Sequence, residues 1–155
     1  MKGSLTKEQA LQKARHFCGY QERHHREVKE KLYGFGLYKN DVEELLSKLI
    51  EENYLNEERF AIQFAGGRFR IKHWGKVKIK YELKQKQISD YCIKKALASI
   101  DEDDYLKTIK KLYAEKLKTL KSEKNIFIKK RKLQDYLMQK GFETNLISEL
   151  LNKKD

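Results

Sequence analysis

The chain has 155 residues, of which 39% are apolar and 37% charged, and its formal net charge is +12. It contains no proline, where average usage of roughly 5% predicts about eight, so the composition favours helices almost throughout. No run of consecutive apolar residues approaches the length of a membrane span, and two cysteines are too few for a disulfide framework or a Cys-rich zinc site. The nine Tyr and seven Phe argue against a disordered chain.

Three helices are predicted first, and the earliest of them begins with a capping-box pattern. Thr6 precedes Gln9 by three residues, which is typical of a helix start. A second helix carries Val28 and Leu32 on one face, and the glycines that follow favour a helix end near residues 34–36. A third helix is predicted from about Lys39 to Asn53.

The same order of helices is predicted twice more. In the middle of the chain, Gly75 precedes a short helix through Leu83, and Ser89 can cap another through Ser99. The longest helix follows the acidic run 101–104, whose carboxylates suit the positive end of a helix dipole. Its predicted buried stripe comprises Tyr105, Ile109, Leu112, Leu117 and Leu120.

An apolar pattern with the same internal spacing occurs three times along the chain. Its members are Val28, Leu32, Leu37, Val42 and Leu46, then Ile79, Leu83, Ile88, Ile93 and Leu97, then Leu133, Leu137, Phe142, Ile147 and Leu151. The pair 54–55 matches the pair 105–106 in the same alignment. We therefore predict an all-α protein of three tandem three-helix repeats, residues 1–55, 56–106 and 107–155, which stack into an elongated, curved array.

The excess positive charge lies in two clusters. Residues 68–86 and residues 116–132 each contain eight basic side chains and one acidic side chain. Such clusters attract a polyanion, although a solvated lysine-rich surface is the alternative. The candidate partner-binding residues are Arg68, Arg70, Lys72, Lys76, Lys78, Lys80, Lys84, Lys116, Lys129, Lys130 and Arg131.

Other candidate sites are weaker. Trp74 beside His73 could stack on a base or a partner side chain, or could fill a helix junction. Cys18 and Cys92 are predicted to be reduced, half-buried thiols of a cytoplasmic protein. His24 and His25 are adjacent, point in different directions on a helix and have no carboxylate constellation, so no metal site is predicted. No catalytic motif is present. The third helix is acidic in the first repeat and lacks Lys and Arg over 144–152 in the last, so a DNA-reading helix at this position is not expected.

The run from residue 54 to residue 83 resembles the RecX family of recombinase regulators. The residues that carry this resemblance are Tyr54, Leu55, Phe60, Ala61, Phe64, Trp74, Gly75, Ile79 and Leu83. The family is also built from three tandem three-helix repeats, so the resemblance spans almost the whole chain. One departure is Gln87, which stands where the family often has glycine before Ile88.

The resemblance implies a non-catalytic protein that binds the filament of RecA on single-stranded DNA and inhibits its ATPase and strand-exchange activity. No cofactor, membrane or small-molecule substrate is expected. The alternative function is a nucleic-acid-binding protein that grips DNA directly, without sequence preference, through its basic clusters.

Overall fold

The structure is a computed structural model that describes residues 4–153, and these form nine α-helices and no strand. The helices are α1 (Lys7–Tyr20), α2 (His25–Gly34), α3 (Lys39–Glu51), α4 (Glu57–Lys72), α5 (Lys76–Gln85), α6 (Asp90–Ala98), α7 (Glu102–Thr119), α8 (Ile126–Gln139) and α9 (Thr144–Asn152). The three helices of each repeat follow one another in the chain, and neighbouring helices within a repeat pack together. The predicted all-α repeat array is confirmed; the outermost residues of its first and third repeats, 1–3 and 154–155, lie outside the described residues.

Side-chain caps start the helices where the sequence places them. The Thr6 hydroxyl accepts a hydrogen bond from the Gln9 amide at 3.1 Å, and the Gln9 side chain accepts one from the Thr6 amide at 3.0 Å. Ser89 caps α6 by accepting from the Cys92 amide at 3.2 Å. The third helix ends at Glu51, slightly earlier than predicted, because Asn53 adopts a left-handed conformation with φ of 63°.

The recurring apolar pattern forms the core of each repeat. Leu32, Leu83 and Leu137 hold the same position and are each 0% exposed. The last member of each set is half-buried in all three repeats: Leu46, Leu97 and Leu151. The other twelve members are buried, as predicted.

The start of the third repeat differs from the prediction. Asn56 and Asp101 cap α4 and α7, so Phe60 and Tyr105 occupy equivalent positions in the first turns of these helices. The predicted match of residues 54–55 with 105–106 is wrong, because Tyr54 is 39% exposed whereas Tyr105 is 1% exposed. The predicted boundary between residues 106 and 107 consequently lies inside α7.

The hydrophobic core is divided unequally along the array. The first repeat has its own core, whereas the second and third repeats share a continuous one. Within the second repeat α4 packs most closely on α6, and Ala61, Ala65 and Ala96 are all 0% exposed. Small side chains at these positions allow the two backbones to approach each other. In the third repeat Leu117 of α7 is half-buried, less deeply than the rest of its predicted stripe.

The junction between the second and third repeats is a hydrogen-bonded helix end. The first four amides of a helix have no partner within it, and in α5 these belong to Gly75 and residues 76–78. The Gly75 amide donates to the Lys140 carbonyl at 2.7 Å, and the Val77 and Lys78 amides donate to the Gly141 carbonyl at 2.9 and 3.4 Å. The Lys76 amide donates to the Tyr105 hydroxyl at 2.8 Å, so the third repeat accepts all four bonds.

Tyr105 links this junction to the core. Its ring lies 5.7 Å from that of Phe69 and 5.3 Å from that of Phe142, measured between centroids. Its hydroxyl donates to the Glu143 carboxylate. Burial and this hydrogen bond raise the pKa of Tyr105, which keeps the hydroxyl protonated.

The junction between the first and second repeats is more polar. Arg59 forms an ion pair with Glu22, and Glu57 lies 3.3 Å from the His25 imidazole. Glu57 also accepts a hydrogen bond from the Ser89 amide at 2.7 Å, so the start of α2 lies beside the turn between α5 and α6. His24 adds an edge-to-face contact with Phe60 at 5.1 Å between ring centroids. Ion pairs and an edge-to-face aromatic contact connect the first and second repeats, whereas apolar packing and helix-end hydrogen bonds connect the second and third.

Candidate polyanion-binding surface

Trp74 is held at a sharp corner between α4 and α5. His73 ends α4 in the left-handed conformation, with φ of 58°, and its amide donates to the Phe69 carbonyl at 2.9 Å. The Trp74 amide donates to the Arg68 carbonyl at 3.2 Å, which closes the last turn of the helix. One part of the Trp74 side chain packs on the shared core, and the rest remains accessible.

Cationic side chains surround this ring. The Lys78 ammonium lies 4.6 Å from the centroid of the Trp74 ring, the Arg68 guanidinium 5.6 Å and the Lys72 ammonium 6.0 Å. The Arg68 guanidinium also lies 4.5 Å from the centroid of the Phe64 ring, so it is in contact range of both aromatic rings. Lys86 approaches Phe64 from the end of α5 at 5.5 Å. We call the surface formed by Phe64, Arg68, Lys72, Trp74, Lys78 and Lys86 the aromatic–basic surface.

The charges of this surface are not neutralised locally. Among residues 4–153, none of its four cations forms an ion pair with a carboxylate. Unpaired cations keep their long-range field and attract an anionic partner, whereas cations in tight ion pairs do not. Aromatic rings beside guanidinium and ammonium groups add flat apolar area to the same surface. This arrangement can bind phosphates, carboxylates and stacked rings.

Lys76 does not belong to the aromatic–basic surface. Its ammonium lies 3.5 Å from the Glu102 carboxylate and 4.7 Å from the ring of Tyr105, at the junction of the second and third repeats. A basic residue in the predicted cluster is thus half-buried and ion-paired. Arg68 is half-buried as well, whereas Lys72 and Lys80 are exposed.

Arg70 lies on a different side of α4. Its guanidinium covers Gly66, where an added Cβ would be 2.6 Å from an Arg70 nitrogen. Together with Lys107 and Lys111 of α7 it borders a shallow depression. Lys80 and Lys84 are exposed on α5 and contact no aromatic ring of the aromatic–basic surface. The predicted cluster 68–86 is therefore distributed over more than one face.

Two members of the aromatic–basic surface do not emerge as binding residues from the sequence. Lys86 lies in the basic segment 68–86 but is not among the candidate partner-binding residues, and Phe64 is predicted to be structural. Helical spacing could have indicated Phe64 together with Arg68, which lie four residues apart on one helix. Lys86 follows α5, and only the packing of α5 against α4 brings it near Phe64.

The candidates of the third repeat lie on α7 and α8. The Lys116 ammonium lies 5.2 Å from the ring of Tyr136, across α7 and α8. Lys130 and Arg131 are exposed on α8, and Lys129 is half-buried.

The remaining motif residues are mainly structural. Leu55, Phe60, Ala61, Ile79 and Leu83 are buried in the cores. Gly75 lies in the junction described above, and Tyr54 is partly exposed, with Arg15 5.9 Å from its ring.

Other kinds of site have little support in the described part of the chain. Cys18 and Cys92 are unpaired and buried, more deeply than predicted. Burial raises the pKa of Cys18 to about 11, so its thiol is protonated at neutral pH. Within residues 4–153 no three His, Cys, Asp or Glu side chains cluster as metal ligands would, and no helix has the length and apolar character needed to cross a bilayer.

Comparison with known proteins agrees with the sequence resemblance. Residues 56–97 match the family model for the second three-helix domain of RecX, and residues 102–151 match that for its third three-helix domain. The chain is 32% identical over 158 residues to the regulatory protein RecX of Thermotoga sp. (strain RQ2), covering 99% of this chain and 89% of that protein. It is 29% identical over 144 residues to the regulatory protein RecX of Prosthecochloris aestuarii, covering 93% and 92%.

A solved structure shares the fold. The crystal structure of RecX from Lactobacillus salivarius superposes with a TM-score of 0.84 at 24% sequence identity, over 94% of each chain. The chain matches two family models in tandem and is similar over nearly its full length to named relatives, and its three-repeat architecture is shared. It therefore belongs to the RecX family of regulatory proteins.

Proposed function

We propose that this protein is a non-catalytic regulator that binds the RecA filament on single-stranded DNA and inhibits its ATPase and strand-exchange activity. The observation that carries the proposal is the aromatic–basic surface, whose four cations have no carboxylate partner among the described residues. The family of regulatory proteins to which the chain belongs supports a role in recombination.

The physical argument rests on charge and shape. A filament of protein on nucleic acid presents a dense array of phosphates and acidic side chains, which a protein of net charge +12 approaches under electrostatic attraction. An array of repeats offers a long surface that can contact several filament subunits at once. Binding across subunits would resist the conformational changes of each ATPase cycle, and the regulator needs no reactive group of its own to do this.

The direct test is the rate of ATP hydrolysis by RecA on single-stranded DNA, with and without the protein. The informative variant reverses Arg68, Lys72 and Lys78 to Glu and spares Lys76, because Lys76 pairs with Glu102 at a repeat junction. The matched control reverses Lys39, Lys48 and Lys94, which are exposed and lie outside both basic clusters. Both variants lower the net charge from +12 to +6.

We expect the wild type and the control to inhibit RecA, and the aromatic–basic variant to require at least tenfold more protein for the same inhibition. If both triple variants inhibited RecA equally, the position of the reversed cations would make no difference, and the proposal would be contradicted. Circular dichroism and urea midpoints check that each variant is folded.

A salt titration separates this function from direct DNA binding. Direct electrostatic binding to phosphates predicts that log affinity for naked single-stranded DNA falls with log salt at a slope of about −0.7 per phosphate neutralised. A filament regulator held by protein contacts keeps its effect on RecA at moderate salt. Tight binding to naked DNA without any change in RecA turnover would favour the alternative function.

A further inference from the structure

The third repeat differs from the other two at the start of its second helix. In the second repeat, backbone hydrogen bonds join the start of α5 to the turn between α8 and α9, and in the first repeat the Glu57 side chain bridges His25 at the start of α2 and the turn between α5 and α6. Among residues 4–153, no hydrogen bond or ion pair joins the start of α8 to a turn of another repeat. Its first amides are satisfied locally, since the Asn125 side chain accepts from the Phe127 and Ile128 amides at 3.0 and 3.2 Å.

The second helix of this repeat is also longer. α8 has 14 residues, whereas α2 and α5 have 10 each. The buried residues Leu133 and Leu137 match Ile79 and Leu83 of α5, so the additional turn lies at the beginning of α8. The repeat fold does not require this turn, because the other two repeats form without it.

The additional turn exposes three consecutive large apolar side chains. Ile126 is 59% exposed, Phe127 81% and Ile128 44%. On a helix, Phe127 shares one surface with the residues three and four positions later, which are the exposed Lys130 and Arg131. An accessible aromatic ring is thus flanked by two accessible cations.

The surroundings are strongly basic. Residues 116–132 contain eight basic side chains and only Glu123 as an acid, and Glu123 is paired with Lys132 at 3.7 Å. A second copy of this chain does not fit this surface, because the copy would carry the same net charge of +12. The turn between α2 and α3 is also already covered, since Ser4 packs on Gly36 and the Leu5 amide donates to the Phe35 carbonyl at 3.1 Å.

We propose that the additional turn of α8, with Phe127 at its centre and Lys130 and Arg131 beside it, is a binding site for single-stranded nucleic acid. An unpaired base stacks on the Phe127 ring, the neighbouring isoleucines contact its edges, and the cations of α8 contact the flanking phosphates. Base stacking on an exposed aromatic side chain is a common means of sequence-tolerant single-strand binding. A duplex hides the faces of its bases, so the same surface offers it only phosphate contacts. The inference rests on the proposed function in that it names the part of the chain that touches DNA in the filament.

The test is fluorescence anisotropy with fluorescein-labelled dT20 and with a 20-base-pair duplex. We expect Phe127→Ala to weaken binding to dT20 by about tenfold, as removal of one stacking partner does, and to leave duplex binding unchanged. Phe127→Trp should retain the affinity for dT20, and its additional tryptophan fluorescence should fall on binding. The matched control is Tyr38→Ala, which removes an aromatic ring that is 84% exposed in the first repeat and should leave dT20 binding unchanged.

Salt dependence separates stacking from charge. Phe127→Ala should keep the slope of log affinity against log salt, whereas Lys130→Ala with Arg131→Ala should reduce its magnitude by about 0.7 for each phosphate that is no longer neutralised. Urea midpoints equal to that of the wild type would show that the variants are folded.

Two results would overturn the inference. One is equal binding of dT20 by the wild type and Phe127→Ala. The other is weaker binding by Phe127→Ala that appears only with vesicles containing phosphatidylserine, which would identify an anionic membrane as the occupant. Either result leaves the RecA assay of the aromatic–basic surface untouched, so failure of this site and failure of the proposed function are distinguishable.

Discussion

Replacement of Gly75 by alanine should separate the second and third repeats at their junction. A Cβ atom at this position would lie 2.3 Å from the Gly141 carbonyl oxygen, 2.4 Å from its carbonyl carbon and 2.5 Å from the Phe142 nitrogen. All three are backbone atoms, so no flexible side chain can move aside. The clash is relieved only if the start of α5 moves away from the turn between α8 and α9.

The expected cost follows from the bonds that such a movement breaks. Four amides at the start of α5 donate to the third repeat, over 2.7 to 3.4 Å. At about 0.5–1.5 kcal/mol net for each hydrogen bond, their loss corresponds to about 2–6 kcal/mol. A domain of this size is stable by about 5–15 kcal/mol, so Gly75→Ala removes a large fraction of the total.

Urea denaturation followed by circular dichroism at 222 nm measures this change. The matched control is Gly67→Ala in α4, where an added Cβ has no atom within 4 Å. Alanine is favoured over glycine inside a helix by up to about 1 kcal/mol, so the control should be slightly more stable than the wild type. A Gly75→Ala variant within about 0.5 kcal/mol of the wild type would refute the close contact between the repeats and the reasoning built on it.

Four other measurements test the fold. Leu83→Ala should lower the free energy of unfolding by about 2–5 kcal/mol, because the side chain is 0% exposed, and a change below about 0.5 kcal/mol would contradict the repeat alignment. Gln87→Gly should stabilise by up to about 1 kcal/mol, because Gln87 adopts a φ of 62° that glycine occupies without strain; a loss of stability in the same urea assay would argue against that conformation. Burial lowers the pKa of His24 despite the nearby Glu27, so the unfolded state takes up the proton first and stability should fall as the pH drops below about 6.5. His24→Phe should make the urea midpoint less sensitive to pH between 7.5 and 5.5, and an unchanged pH dependence would count against a buried imidazole. Small-angle scattering should give a radius of gyration clearly above the roughly 15 Å of a compact chain of this length, and a value at that limit would exclude an elongated array.

The repeat architecture could be predicted from sequence because its information is local and periodic. The spacing of Val28 and Leu32 within a helix, and its recurrence at Ile79 and Leu83, is set by the 3.6-residue turn. Caps such as Thr6 and Ser89 act on amides three residues away. The start of the third repeat is not predicted correctly, because Tyr105 matches Tyr54 in residue type whereas its packing matches that of Phe60.

The binding surfaces depended on how the helices pack. The sequence alone determined that residues 68–86 are basic. It did not determine that Lys78 and Arg68 both lie near the Trp74 ring, or that Lys76 forms an ion pair with Glu102. Those neighbours come from different helices, and their distances depend on the angle and separation of α4 and α5 and on the third repeat. Gly75 illustrates the difference. As a glycine before a helix it marks a local start, but only the backbone of Gly141 lying against it shows why a larger side chain does not fit.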